Sequence, residues 1–481
     1  MSKENLVLSH VCFSENGNEE LNEVNLTVFE GDILGLITLD NQGLESLINL
    51  IMNNHLLERG HVLYRGKEVS GCLTCKKTPN KIALVEAQSR LVPALNIADN
   101  FFFVKGNCPL FVHRRKQNRQ IQRVFSQYGI SLLGTEYPSS LSDLERCKVE
   151  IIKAGMIGVK VIILCDPSSF LGPKEVASLN ALLKQIAENE GVSFIYLCNH
   201  HREILSYCSL LAIMYSGTIV LQKNCSAVTE EMMSIVSRDS VRLLPDLHKP
   251  IIPPVFEEAV QIKNTHSVEI SVGKGECVVL LDLDNKVIPE ITDALFEKGA
   301  PKGYSITVGG KPAFKNTALW SYIPANPISS SLFYDMSYVD NLILKKGNSK
   351  IANFWLRKKY RKTIIAEYCS ICGDAIESRD LYGMSYQKLY QLLYQRILLE
   401  KPQVLFVVQP FNRMDMYQRI RVLEYISQIQ KEGIAVVLLA VSLSNSLRLA
   451  SRLILMQNHT IVKELPPDEF ETAAEYGLIT R

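Results

Sequence analysis

Residues 35–51 read GLITLDNQGLESLINLI, a strand-like apolar run, a short polar turn and a helix-like apolar run. A strand-to-helix turn of this kind can cradle phosphate. Amides at the helix start and the helix dipole attract anions, a lysine balances the phosphate charge, and a Ser or Thr hydroxyl holds Mg2+. Here the turn is Thr38-Leu39-Asp40-Asn41-Gln42-Gly43-Leu44-Glu45, with one glycine, no lysine and two carboxylates. Metal chemistry finds less support still. Of twelve cysteines, two pairs have CxxC spacing, Cys72/Cys75 and Cys369/Cys372, and they lie far apart in the chain, whereas zinc sites usually bring two ligand pairs close together. Cys165 and Cys198 fall inside apolar strand-like runs, where Cys acts as a small hydrophobe. The nine histidines show no ligand spacing, so no metal is expected.

The remaining totals narrow the class. With 481 residues the chain has room for about two to four domains, and 47% hydrophobic with 21% charged residues is ordinary for a globular protein. A net charge of +2 points to no polyanionic partner, so no nucleic acid is expected. The start, MSKENLVLSH, is broken early by charges and does not read as a signal peptide. No apolar run approaches the roughly 20 residues that span a bilayer. The expectation is a cytoplasmic protein, peripheral to a membrane at most and not inserted in it.

The elements that must position this turn occur twice. GDILGLI at Gly31 answers GECVVLL at Gly275, and RGKE around Gly66 answers GGKP around Gly310, both at an offset of 244. LSDLERCKVEIIKAG around Ser142 answers MSYQKLYQLLYQRIL around Ser385, and VIILCDP ending at Pro167 answers VLFVVQP ending at Pro410, both at 243. Matches in one order at a nearly constant offset mean a duplicated module. Each copy predicts a helix after the opening turn (43–53, 287–297), a long helical region (115–129, 354–378) and a further helix (142–155, 385–399). That helix feeds an apolar strand, VKVIILC or QVLFVV. Another helix (174–189, 415–431) leads to VSFIYLC or IAVVLLAV. Apolar strands alternating with helices predict a buried, largely parallel sheet, whose ligands bind at the strands' carboxyl ends. The opening turn lies at such an end. The predicted division is 1–222, a connector at 223–256, and 257–481.

In this order the segments resemble the tandem ATP-binding subunits of sugar-type (ribose, galactose, xylose) ABC importers, from about residue 5 to 470. The best local pieces are LVPALNIADN (91–100), DPSSFLGPKEVASLNALLKQI (166–186), GVSFIYLCNHHREILSYCSLLAIMYSG (191–217) and RMDMYQRIRVLEYISQI (413–429). The resemblance implies two ABC ATPase-like α/β domains with a RecA-like, P-loop NTPase core, each with a β-subdomain and a helical subdomain. It also implies a permease partner, with the stretch 86–106 near the docking groove.

The resemblance assigns positions, and the residues at most of them differ from the family's. In the phosphate loop, Thr38 stands at the first glycine, Leu44 at the lysine and Glu45 at the Mg2+ hydroxyl, while Gly43 is kept. In the second copy these positions hold Asp282, Val287, Ile288 and Pro289. Asp40 and Glu45, or Asp282 and Asp284, bring carboxylates toward the triphosphate position. A like-charge pair at about 4 Å costs on the order of 4 kcal/mol at an effective dielectric near 20. The Walker B pair is Cys165-Asp166 or Val408-Gln409. The Q-loop position falls at Ala87, beside Gln88, or near Ala325. The switch-histidine position falls at Asn199, beside His200, or at Val441. The signature keeps Ser142 and Ser385 without its glycines.

Blander roles stand beside these. Ser142 and Ser385 suit helix N-caps, Pro167 and Pro410 punctuate strand ends, Asp415 suits a helix start, and Phe13 suits the core. The expectation is a pseudo-ATPase without ATP or Mg2+, acting as a regulatory or scaffolding partner of a membrane transport or sensing system. The alternative is a divergent but working ATP-binding subunit that energises carbohydrate import.

Overall fold

Apolar runs such as VIILC and VLFVV have no polar face to turn to water, so they belong in a sheet covered on both sides. The computed structural model describes residues 3–15, 18–40, 42–72, 80–102, 114–198, 201–229, 232, 256–296, 303–344, 354–411, 414, 416–441 and 445–470. It divides into two units, Met1–Asp239 and Ser240–Ile479. Most of the connector expected at 223–256 lies outside the described residues.

Unit one opens with β1 (Glu4–Glu15), β2 (Asn18–Phe29), β3 (Ile33–Thr38), β4 (Arg59–Tyr64) and β5 (Lys67–Gly71). It continues with β6 (Ile82–Val85), β7 (Val161–Cys165), β8 (Ser193–Leu197), β9 (Leu210–Tyr215) and β10 (Thr218–Asn224). Strands β2-β1-β4-β5 make an antiparallel sheet, and β10-β9-β3-β8-β7-β6 make a second sheet that is parallel except at its β9–β10 edge. Unit two runs from β11 (Glu258–Asn264), β12 (Glu269–Gly273), β13 (Cys277–Asp282), β14 (Tyr304–Val308) and β15 (Lys311–Pro312) to β16 (Trp320–Ile323). Its last strands are β17 (Val404–Val408), β18 (Ala435–Ala440), β19 (Arg452–Gln457) and β20 (Thr460–Leu465). Their orders, β12-β11-β14-β15 and β16-β17-β18-β13-β19-β20, repeat unit one strand for strand. Both units are α/β domains with one strand order.

The sheet is buried on both faces because side chains alternate along each strand. In β7, Ile162 and Leu164 enter one apolar cluster while Val161 and Ile163 enter another. In β17, Leu405 and Val407 part from Val404 and Phe406 in the same way. Predicted helices fall close to Leu44–Met52, Val287–Phe296, Arg114–Gln127, Asp143–Met156, Tyr386–Glu400, Pro173–Glu190 and Met416–Lys431. The long helix predicted to 378 runs Phe354–Cys372 instead, because Gly373 takes φ +59° and a 3-10 turn follows.

Ahead of the long helix, each unit fastens one loop with a buried asparagine. Asn100 Oδ1 accepts the Val92 N–H at 2.8 Å, and its amide donates to the carbonyls of Val92, Leu95 and Asn96. Asn341 does the same with Phe333, Met336 and Ser337. An aspartate has the acceptor but not the donor, so only the amide satisfies both sides of the loop. Asn341→Ala leaves Phe333 N–H and the facing carbonyls without partners. It should lower stability by about 2–3 kcal/mol in guanidinium unfolding, and Asn341→Asp should also destabilise.

Candidate functional site

In unit two, β13 ends at Asp282 and the helix Val287–Phe296 begins five residues on. The first four amides of a helix lack intrahelical acceptors and draw an anion. Asp282 supplies one from within the chain. Its Oδ2 accepts the N–H groups of Val287 at 2.7 Å and Ile288 at 2.9 Å, and the residue is 1% exposed. Pro289 follows with no N–H to give. Three of the four amides at this start are therefore either held by Asp282 or missing.

The Asp282 carboxyl is pushed up to about 6, first by burial and also by Asp284 beside it, although the two amides pull the other way. Asp284 is anchored elsewhere. Its Oδ2 accepts the Asn458 N–H at 3.1 Å and pairs with Lys286 at 3.1 Å. Neither Asp282 Oδ1 nor Asp284 Oδ1 has a hydrogen-bond donor.

Unit one builds the turn differently. Asp40 accepts the Ser216 N–H at 3.1 Å and its hydroxyl at 3.3 Å, in the β9–β10 hairpin, as Asp284 does at the β19–β20 hairpin. Leu39 N–H and Leu283 N–H also bond to the same positions of those hairpins, Met214 O and Met456 O. Asp40 and Asp284, expected to face the phosphate position, thus tie the turn to its neighbouring hairpin. Thr38 is buried at the end of β3, Leu44 is half-buried against the core, and Glu45 is exposed. Gly43 has a structural reason to be glycine. Its φ is +73°, and a Cβ there would lie 2.2 Å from Glu20 O and 3.1 Å from Gly217 Cα.

The other expected positions scatter in burial and bonding. Cys165 closes β7, and Asp166 beside it takes φ +44°, with its N–H on Leu197 O at 2.8 Å and Ser168 Oγ donating to its Oδ1 at 3.2 Å. Val408 is buried, and Gln409 repeats the left-handed bend with φ +46° and its N–H on Leu439 O at 2.7 Å. Ser142 is an N-cap with a full capping box, its Oγ accepting Glu145 N–H while Glu145 accepts Ser142 N–H at 2.9 Å. Ser385 holds the same N-cap place without a side-chain bond. Gln88 is exposed, Ala87 and Ala325 are half-buried against the core, and Val441 is buried. Phe13 packs edge-on against His55 at 5.4 Å. Asn199, His200 and Asp415, together with Cys75, lie outside the described residues. Among those described, no group of three or more His, Cys, Asp or Glu side chains could hold a metal ion, and no helix is long and apolar enough to cross a membrane.

Two features escaped the sequence. The Tyr196 hydroxyl donates to Glu203, whose carboxyl is pushed up by burial and by nearby Asp166. Glu150 accepts Ser89 Oγ at 2.5 Å and Arg90 N–H at 2.8 Å, tying the bend after β6 to the helix Asp143–Met156. Each was one polar residue within an otherwise periodic segment. No spacing marked its partner.

Comparison with known proteins follows the same outline. Residues 21–169 match the ABC transporter family model. The chain is 22% identical over 490 residues to the ribose import ATP-binding protein RbsA of Halalkalibacterium halodurans, covering 97% of each. It is 23% identical to the galactose/methyl galactoside import ATP-binding protein MglA of Haemophilus influenzae, covering 94% of this chain and 92% of the relative. Among solved structures, cbiO1 from Clostridium perfringens aligns at a TM-score of 0.42 and 17% identity, over 50% of this chain and 96% of its own. The chain thus resembles tandem sugar-type ABC importer subunits along nearly its whole length.

Two substitutions test the geometry. An acid with a folded-state pKa of about 6 against 3.8 holds its proton more tightly when folded. That stabilisation is complete below pH 3.8 and is lost as pH rises through about 6. Asp282→Asn keeps an acceptor for the two amides without titrating. Relative to this variant, the wild type should lose on the order of 2–3 kcal/mol across that window in denaturant midpoints. Gly43→Ala should destabilise by more than about 1 kcal/mol, through both φ and the clash.

Proposed function

We propose that this chain is an ABC-type subunit of carbohydrate-import machinery that works through contact with a membrane permease and does not hydrolyse ATP. The observation that carries this reading is the Asp282 carboxylate on the Val287 and Ile288 amides. A Mg2+–triphosphate needs free amides, a cation and a hydroxyl at this turn. The residues present do not fit it. Ile288 and Leu44 stand where the cation would, and Pro289 and Glu45 stand where the hydroxyl would. Expelling Asp282 would strand a buried carboxylate, and retaining it would set like charges together, at about 4 kcal/mol for a pair some 4 Å apart. On this reading neither ATP nor Mg2+ is a cofactor. The two units serve as a regulatory or scaffolding body at the cytoplasmic face of a transport or sensing system.

A second reading is favoured by the comparisons. Relatives that cover nearly the whole chain are named ribose and galactose import ATP-binding proteins. Under it, the chain is a divergent subunit that still energises sugar import, with unit one carrying whatever nucleotide is bound.

Calorimetric titration with Mg·ATP and an assay of phosphate release separate the two. The first reading expects no heat, no rise in melting temperature and no turnover, because a ligand bound to the folded state must raise the melting temperature. It also expects Asp282→Gly, which frees two amides, to gain anion binding at unit two. Saturable binding with phosphate release that disappears in Asp166→Asn would replace it with the second reading.

A further inference from the structure

The net charge of +2 hides a separation of charge that recurs in both units. Between Asp99 and Glu136 the chain has no acidic residue and six Lys or Arg, and between Asp340 and Glu367 it has none and eight. Each stretch begins at the buried asparagine, Asn100 or Asn341, and takes in all of Arg114–Gln127 in unit one and the part of Phe354–Cys372 before Glu367 in unit two. Without these fourteen cations, 38 basic residues would face 50 acidic ones across the rest of the chain.

The helices hold these charges outward. In Arg114–Gln127, Ile121 and Phe125 are buried, with Phe125 edge-on to Phe101 at 5.8 Å, and this fixes the roll of the helix. Arg114, Arg115, Lys116, Arg119 and Arg123 are all exposed. The helix contains no acid, and among the described residues none of the five is in an ion pair. In Phe354–Cys372, Ile364 is buried while Lys358, Lys359 and Lys362 are exposed and likewise unpaired among the described residues. Among the described residues of this helix, Arg361 is neutralised, by two 2.6 Å contacts with Asp340. Like charges crowded on one helix repel each other, and among the described residues the five cations of Arg114–Gln127 and Lys358, Lys359 and Lys362 have no ion-pair partner. A surface of this kind is completed by an external array of anions.

We infer that each unit carries a docking surface for an anionic membrane, formed by the exposed cations of these two helices and taking acidic lipid headgroups as its ligand. The charge of the rest of the chain favours lipid over nucleic acid: its 38 basic and 50 acidic residues would repel a polyanion that wrapped the chain, whereas a flat anionic surface can meet a basic helix alone. The inference is independent of whether nucleotide binds.

The test is co-sedimentation of the full-length chain with vesicles of equal parts phosphatidylglycerol and phosphatidylcholine, and with vesicles of phosphatidylcholine alone. Binding should require the acidic lipid and weaken as salt shortens the screening length. Arg114→Gln, Arg115→Gln, Lys116→Gln and Arg119→Gln together should weaken it at least about tenfold, as should Lys358→Gln, Lys359→Gln and Lys362→Gln together. These positions are exposed, so circular dichroism and melting should stay unchanged. Equal binding to both vesicle types, or binding indifferent to the substitutions, would overturn the inference. So would single-stranded RNA binding that these substitutions abolish in a chain that ignores acidic vesicles.

Discussion

The start of a helix demands negative charge, and in unit two that demand is met by a covalently attached carboxylate. Asp282 sits at the end of β13, one turn before the amides it receives, so its effective concentration there is fixed by the chain. The arrangement is not free of strain. Burial and Asp284 raise the carboxyl to about 6, against the pull of the Val287 and Ile288 amides. The two interactions oppose each other, and burial prevails. Any external anion at this turn competes with an internal one that never diffuses away.

Around the turns, the two units share devices that do not depend on which residues line the loop. Asp40 and Asp284 fasten the turn to the adjacent hairpin, and Asn100 and Asn341 fasten the loop before the long helix. Asp166 and Gln409 share a left-handed bend after the strand, closed by a bond to the neighbouring strand. Asp166, a carboxylate in one unit, is answered by an uncharged amide in the other, yet the backbone follows the same path. Strand order and these fastenings hold the frame, while the side chains offered at the strand ends vary.

Much of the frame was legible because it rests on periodicity. Apolar runs of five or six residues, repeated at offsets of 243 and 244, gave strand positions and the duplication directly. Helix ends were less legible, since Gly373 stops a helix whose apolar pattern continues beyond it. Of the expected site residues, Ser142 took the capping role that its SxxE spacing announces. Ser385, which lacks a glutamate three places on, made no such bond.

Sequence by itself determined which residue types stand at the two turns: one glycine, Gly43, one lysine, Lys286, which lies outside the expected cation position, and several carboxylates. Only the tertiary structure decided which carboxylate does what. Asp40, Asp282 and Asp284 are alike in a string of letters. Two residues' difference along a turn sends one side chain, Asp282, back onto the helix amides and another, Asp284, across to a hairpin. Composition gives the charge, but backbone direction decides where it is spent, and direction is set by strands distant in sequence.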